Sequence, residues 1–334
     1  MSFVQTLVPP EHASNHVLVV PDAWVPARLK GLADAWFPEV RWLEEPVAET
    51  GARPMGGARF RGMASGHVEQ VGPGSLGIGN EHRAAGPFPV AEELSPQIEL
   101  TGGAAAYALG RLDGMLDVRA GRPATTDDRD GIARAFAAGL PEGEELRLVQ
   151  WGVAVARKSG GVVLADGRQL LHPDPTSAVD LALFAAHPVP PAELLGLLRS
   201  LIATADTEPG PPAPDGTARS RLVARTPYDG MITVEAERVE RVPRALVGLD
   251  WRDYGPHAYR VAWVPQVPYE LSLEEPSGVH VIARSRMRAV VARFALLLHA
   301  KVGGAFVDDG AFVATTGEIE ARADDQRAPS RAWV

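Results

Sequence analysis

One stretch of this chain occurs twice. Gln150–His172 (QWGVAVARKSGGVVLADGRQLLH) and Arg293–Thr315 (RFALLLHAKVGGAFVDDGAFVAT) align without a gap, with five identities in 23 positions. Lys158 meets Lys301, Gly160-Gly161 meets Gly303-Gly304, and Asp166-Gly167 meets Asp309-Gly310. The chain has three lysines, and two of them share one aligned position. A repeat at fixed spacing limits architecture more than any single motif does. It points to a fold of two related halves made by internal duplication, the alternative being a common helix-then-hairpin arrangement reached twice without duplication.

The repeated unit has a direct physical reading. In the second copy Met287, Val290, Val291, Phe294, Leu297 and Leu298 recur at three- and four-residue steps, the pattern of an amphipathic helix. Gly160 and Gly303 stand where a helix needs a left-handed closing residue, and Lys158 and Lys301 favour its negative end. A short apolar strand follows, then Asp-Gly, a dipeptide suited to tight hairpins, then the return strands Gln169–Leu171 and Ala311–Ala314. The unit is helix, glycine cap, strand, Asp-Gly turn, strand. Upstream the correspondence fades: Val279–Ile282 reads as a strand before the second helix, whereas Phe136–Leu140 before the first reads as a helix end.

The remainder reads as strands mixed with helices and lacks strict β-α alternation, so the fold class is α+β, each half a small mixed sheet with helices packed on it. A first half covers 1–175: a strand at Val17–Val20, a helix from Pro26, a strand near Val40–Leu43, and a Gly/Pro-rich loop region at 44–93 with a strand near His67–Val71. Ile98–Thr101 reads as a strand, followed by helices at Ala104–Leu116, Asp128–Ala138 and Glu144–Lys158. Connecting helices follow within 176–206, at Ala178–His187 and Ala192–Ala205; both are poor in charge and need burial. The stretch 207–217 carries four prolines and reads as a linker. The second half covers 218–316, with strands at Leu222–Arg225, Ile232–Glu237 and Tyr259–Val264. A polar tail, expected to be mobile, covers 317–334.

Composition excludes several classes. A chain of 334 residues exceeds one usual core, so two domains are expected. A net charge of −9 argues against broad nucleic-acid binding. Without cysteine there is no disulfide, thiolate catalysis or cysteine metal site. The start lacks a signal-peptide pattern, and no window is apolar for the length a membrane helix needs. A cytoplasmic protein is expected. With 46% hydrophobic and 22% charged residues it is composed like a soluble globular protein. The excess of arginine over lysine, with abundant Ala, Gly and Pro, suggests a GC-rich bacterial genome.

Candidate chemistry gathers around one glycine-rich stretch. Gly72, Gly74 and Gly77 match G-x-G-x-x-G, but the residues after them are too broken for the helix a dinucleotide site requires. No cofactor is therefore expected. Glu81 and His82 form an adjacent acid–base candidate, because a carboxylate can orient an imidazole and raise its basicity. Arg53, Arg59, Arg61 and His67 could line an anion-binding surface beside them. The nine histidines show no metal-ligand spacing, and no metal is expected. His172-x-Asp174 and the Asp127, Asp128, Asp130 cluster stand alone, the latter reading as an acidic helix start.

These observations favour a macromolecule-binding protein with an immunity, adaptor or assembly role and no catalysis of its own. A protein partner is expected and a homo-oligomer is compatible, whereas a membrane or nucleic-acid partner is not expected. The alternative is a hydrolase or transferase acting on an anionic substrate through the 72–86 loop. It requires a cleft around His82.

Overall fold

The computed structural model describes residues 3–22, 24–49, 70–114, 128–136, 139–210, 220–273 and 275–324. The chain forms two compact units that are not contiguous in sequence. The first comprises Met1–Ala33, Phe37–Ala120 and Pro141–His172; the second comprises Asp34–Trp36, Gly121–Leu140 and Pro173–Val334. Each is α+β, and the two are similar in plan.

In the first unit a short helix α1 (Val4–Leu7) precedes β1 (His16–Pro21), α2 (Pro26–Asp34) and β2 (Val40–Glu44). A two-residue pair, β3 (Ala48–Glu49) with β4 (Gln70–Val71), is set apart. Then come β5 (Gly74–Ile78), β6 (His82–Val90) and β7 (Ala104–Arg111). A short α3 (Ile132–Ala135) lies in the segment assigned to the second unit, and α4 (Gly143–Ser159), β8 (Val162–Ala165) and β9 (Gln169–Leu171) complete the first. The second unit runs β10 (Leu181–Ala185), α5 (Pro191–Leu201), β11 (Asp206–Pro209), β12 (Ser220–Arg225), β13 (Met231–Arg238), β14 (His257–Val264), α6 (Gly278–Val302), β15 (Ala305–Asp308), β16 (Val313–Ala314) and α7 (Thr316–Ala323).

The sheet orders are β2-β5-β6-β7-β1-β8-β9 and β11-β12-β13-β14-β10-β15-β16, antiparallel at every pairing. Both therefore follow one path: strand, helix, four strands, helix, hairpin. The registers agree as well. His16 faces Leu109 and Val19 faces Val162; in the same places Leu181 faces Val261 and Phe184 faces Ala305. Carried along β1 and β10, this equivalence sets Pro26 beside Pro191 as the first residue of its helix. It also matches buried Leu29 with Leu194, Ala33 with Leu198, and Tyr107 with Tyr259.

The paired glycines have one cause in both units. A Cβ on Gly161 would lie 2.2 Å from the carbonyl oxygen of Val19, and one on Gly304 would lie 2.3 Å from that of Phe184. Those carbonyls belong to equivalent residues of β1 and β10. The chain leaving the long helix must cross the first strand so closely that only a residue without a side chain fits. The glycines just before them, Gly160 (φ 72°) and Gly303 (φ 66°), close the helices. The Asp-Gly turns differ. Asp166 and Gly167 both adopt positive φ, whereas in the second unit the positive φ falls on Ala311, one residue after Asp-Gly. There the Asp308 carboxylate accepts from the N–H groups of Gly310 and Phe312. The same dipeptide thus serves two turn geometries.

Alternation along the strands separates two cores in each unit. Helix α4 lies on the face of Leu109 and Val163, against which Gly152 is pressed. Val17, Val19, Ala106, Ala108, Val162 and Leu164 form the opposite face with Val4, Leu7 and Val8. In the second unit Leu181, Leu183, Tyr259, Val261 and Phe306 pack with Leu194 and Leu198 of α5 and with Met287, Val291, Phe294 and Leu298 of α6. Phe184, Ala258, Ala305 and Val307 form the other face with Leu246. Each large side chain buried this way contributes about 1.5–3 kcal/mol.

Several expected elements differ from the structure. Ala104–Leu116 is not a helix: Ala104–Arg111 is β7, because Ala104, Ala106 and Ala108 point to one packed face and Tyr107 and Leu109 to the other. Packing overrides alanine's helix preference. Ala178–His187 is not a connecting helix but holds the central strand β10, whose poverty in charge reflects cover on both faces. Val279–Ile282 lies inside α6, and Ile98–Thr101 is irregular chain after a 3₁₀ turn at Glu92–Gln97. Of the helix expected over Asp128–Ala138, the described residues form α3 at Ile132–Ala135, and 137–138 lie outside them. The 44–93 region is not one loop: Gly74–Ile78 and His82–Val90 are paired strands. The linker begins with β11, and 211–219 lies outside the described residues. The tail opens with α7, stopped in place by a capping box between Thr315 and Glu318. Of the strand expected at His67–Val71, only Gln70–Val71 lies among the described residues. No described helix is long and apolar enough to cross a membrane.

Candidate functional site

The stretch read as G-x-G-x-x-G is mostly β5, whose five residues are all buried. It does not join a strand to a helix; it turns through Gly79-Asn80 into β6. The first turn of α4 lies over that turn. Gly79 has φ 65°, and a Cβ there would lie 2.5 Å from the Glu144 carboxylate. That carboxylate accepts from the N–H of Asn80 at 3.1 Å, from the N–H of Glu81 at 3.0 Å, and from Nδ1 of His82 at 2.9 Å. Burial pushes the Glu144 carboxyl up, but the hydrogen bonds from His82, Glu81 and Asn80 outweigh it, and the group is held below the usual carboxylate range. Burying His82 at 1% exposure beside this acceptor fixes it as part of a structural lock.

Glu81 and His82 therefore do not work on each other. Glu81 is exposed and takes Nη1 of Arg111 at 2.7 Å, while the same guanidinium grips Asp113 in a two-pronged pair. Glu81 lies in the turn before β6 and His82 opens the strand, and the two side chains go to different partners. Arg53, Arg59, Arg61 and His67, the proposed anion surface, lie outside the described residues.

The next residue of α4 makes a second lock. Glu145 accepts from Nε2 of His16 at 2.9 Å, and Nδ1 of His16 accepts from the backbone N–H of Asp166 at 2.9 Å. His16, Glu145 and Asp166 offer three possible metal-ligand atoms within 4.8 Å of one another. The hydrogen bonds argue against that use. An imidazole that accepts at Nδ1 carries its proton on Nε2 and donates it in a hydrogen bond to Glu145, so both ring nitrogens are engaged. Of the remaining isolated candidates, Asp127 lies outside the described residues; Asp128 accepts from the N–H groups of Ala133 and Arg134, Asp174 accepts from the N–H of Thr176, and His172 stands 3.9 Å from Glu99.

Sequence reading missed Glu144, Glu145 and His16. Two consecutive glutamates at a helix start are a legible signal, since acids favour that end, but their histidine partners come from distant strands. It also missed an ionic group in the second unit. Arg129 donates to the Ser177 carbonyl and to Asp309 at 3.0 Å; Arg134 donates to the Ser272 carbonyl; Arg284 pairs with Asp174 and donates to Thr176. His280 lies close by, its ring 5.2 Å from that of Trp263. Burial lowers the pKa of His280, Arg284 and Arg129 lower it further, and Glu270 opposes them.

Above this group, one end of the second sheet exposes large apolar side chains. Tyr228 is 78% exposed, Tyr269 70%, Val279 60% and Val267 51%. The β12–β13 turn carrying Tyr228 presses against Val264–Gln266 through Gly230. Trp263 donates its indole N–H to the Asp229 carbonyl, and Arg286 of α6 stands 3.5 Å from the Asp229 carboxylate. These contacts, with the His280 ring beside Trp263 and the Ser277 N–H donating to the Glu270 carboxylate, bring the β12–β13 turn, the chain after β14 and the start of α6 near one another. Comparison with protein-family models, with curated proteins and with solved structures finds no match to this chain.

Proposed function

We propose that the chain is a macromolecule-binding protein of the bacterial cytoplasm, acting as an immunity, adaptor or assembly factor without catalysis of its own, and that its halves arose by duplication. The exposed cluster of Tyr228, Val267, Tyr269 and Val279 carries the reading. Large apolar side chains left exposed near one another mark interaction sites, and tyrosine is enriched in them. The engagement of Glu81 by Arg111 and of His82 by Glu144 supports the non-catalytic part. Equal sheet order and register, and the shared glycine crossing, support duplication.

Recognition through side chains fits better than strand addition, because the sheet edges are blunted. β2 carries a register irregularity between Trp42 and Glu44, β9 has three residues, β11 ends in Pro209, and β16 has two residues. The test places a photo-crosslinking residue at Tyr269 and, as control, at Arg199 on α5 in the source organism. A discrete adduct from position 269 alone, lost when Tyr228→Ser is added, is the expected result. Equal diffuse labelling from both positions defeats the proposal.

A further inference from the structure

The second unit departs from the first at the start of its long helix. The repeat sets Gln150 opposite Arg293, so Gly143, which opens α4, falls opposite Arg286. Residues 278–285 of α6 therefore have no counterpart in α4. This added stretch carries His280 and Arg284, which share one helix face at a spacing of four residues. Arg284 pairs with Asp174 and donates to Oγ1 of Thr176, the residue before Ser177. Arg129 donates to the Ser177 carbonyl, and its charge and that of Arg284 both reach the His280 ring.

Three side chains here are more than nine-tenths buried and leave polar atoms unmet. Ser177 is 3% exposed and its Oγ has no hydrogen-bond partner; Arg284 is 8% exposed and its Nε has none. The His280 ring is packed on Trp263 and is held by no side-chain hydrogen bond among the described residues. Buried polar groups are nearly always satisfied, so such a cluster calls for a further partner. A guanidinium N–H can only donate, and the partner must therefore accept. Beyond the cost of burial, Arg284 and Arg129 outweigh Glu270 in their effect on His280, so the place favours negative charge. The nearby acids are engaged: Asp174 by Arg284, Asp309 by Arg129, and Glu270 by the Ser277 N–H. The side chains of Asp174 and Arg129, 45% and 23% exposed, reach solvent at the rim.

We infer that Ser177, His280 and Arg284 form a binding site for a small oxyanion, a phosphate or a carboxylate, whose oxygens accept from the Ser177 hydroxyl, the His280 ring and Nε of Arg284. A water would bring two protons of its own to a place whose acceptors are already taken. An oxyanion brings none and meets several donors at once, in charge-assisted hydrogen bonds. The site uses none of the exposed apolar side chains proposed to meet a partner, so it stands or falls apart from that reading.

Inorganic phosphate is titrated into the full chain, with sodium chloride at equal ionic strength as control, and the His280 ring is followed by proton NMR, its signal assigned by its loss in His280→Gln. Phosphate should move that signal and raise the pH at which the ring protonates, because an anion beside it favours the charged form. Ser177→Ala removes a hydroxyl that bonds nothing in the fold, and Arg284→Lys keeps a charge beside Asp174 without the Nε donor. Each should bind phosphate at least about tenfold more weakly. Phosphate should also raise the thermal midpoint of the unaltered chain and leave that of Ser177→Ala where it was. Acetate titrated in the same way tells the sources apart: tighter phosphate marks a phosphoryl ligand, tighter acetate a carboxylate. Shifts no larger than those with chloride, or binding that neither variant weakens, overturn the site and leave it to a bound water. If both variants fail to fold, the His280 titration of the unaltered chain decides alone.

Discussion

Glu144 and Glu145 open one helix, and each closes on a histidine held by a distant strand. Replacing Glu144 by Gln keeps the shape but weakens the acceptor for His82 and for two backbone N–H groups, at a cost of about 1–3 kcal/mol. Because the folded Glu144 pKa lies below its unfolded value near 4.3, its ionised form stabilises the fold above about pH 4.3. That contribution is lost as pH falls through the lower folded value, so urea midpoints of Glu144→Gln should lose this acid limb. His280 acts at higher pH. Its folded pKa lies below the unfolded value near 6.5, so the folded state resists protonation and stability declines as pH drops below about 6.5. His280→Phe keeps a ring against Trp263, and the decline should shrink in the same titration. His12, lowered by burial and Arg83 against Glu11, retains its share.

At the scale of elements, the glycines that let each helix cross its first strand make opposite predictions from an ordinary helical glycine. Gly161→Ala and Gly304→Ala each drive a methyl into a backbone carbonyl and should lower stability by more than 1 kcal/mol. Gly196, inside α5 with open space around it, should gain about 0.5–1 kcal/mol on replacement by Ala. Chemical denaturation of the three variants decides the matter. The helix, glycine pair and hairpin were legible because no insertion interrupts them and each step has a local cause. Upstream equivalence was not legible. Pro26 and Pro191 correspond at one spacing, Tyr107 and Tyr259 at another, so no ungapped alignment joins them to the repeat. β7 was hidden because three alanines on one face carry no period-two contrast in hydrophobicity. The partners of Glu81 and His82 were hidden for a related reason: Arg111 and Glu144 are non-local, and adjacency in sequence says nothing of them.

For the whole molecule, the division into units cuts across the order of the chain. Residues 121–140 are flanked on both sides by parts of the first unit yet belong to the second. Their backbone and side chains bond the carbonyls of Leu271, Ser272 and Ser177, and Asp309. A fragment starting at Pro173 lacks these partners. It should unfold at lower urea than the same fragment supplied with residues 121–140 by fusion, as read by tryptophan fluorescence. Equal midpoints would remove any stabilising role for the segment.

The same arrangement bears on biosynthesis. Arg129 and Arg134 leave the ribosome well before Ser272 and Asp309 exist, and at roughly 5–20 residues per second the gap is on the order of ten seconds. Throughout that interval Arg129 and Arg134 of the nascent polypeptide lack the Ser272 carbonyl and the Asp309 carboxylate with which they pair in the folded chain. Slowing translation between codons 140 and 270 prolongs that vulnerable period, whereas speeding it there shortens the wait.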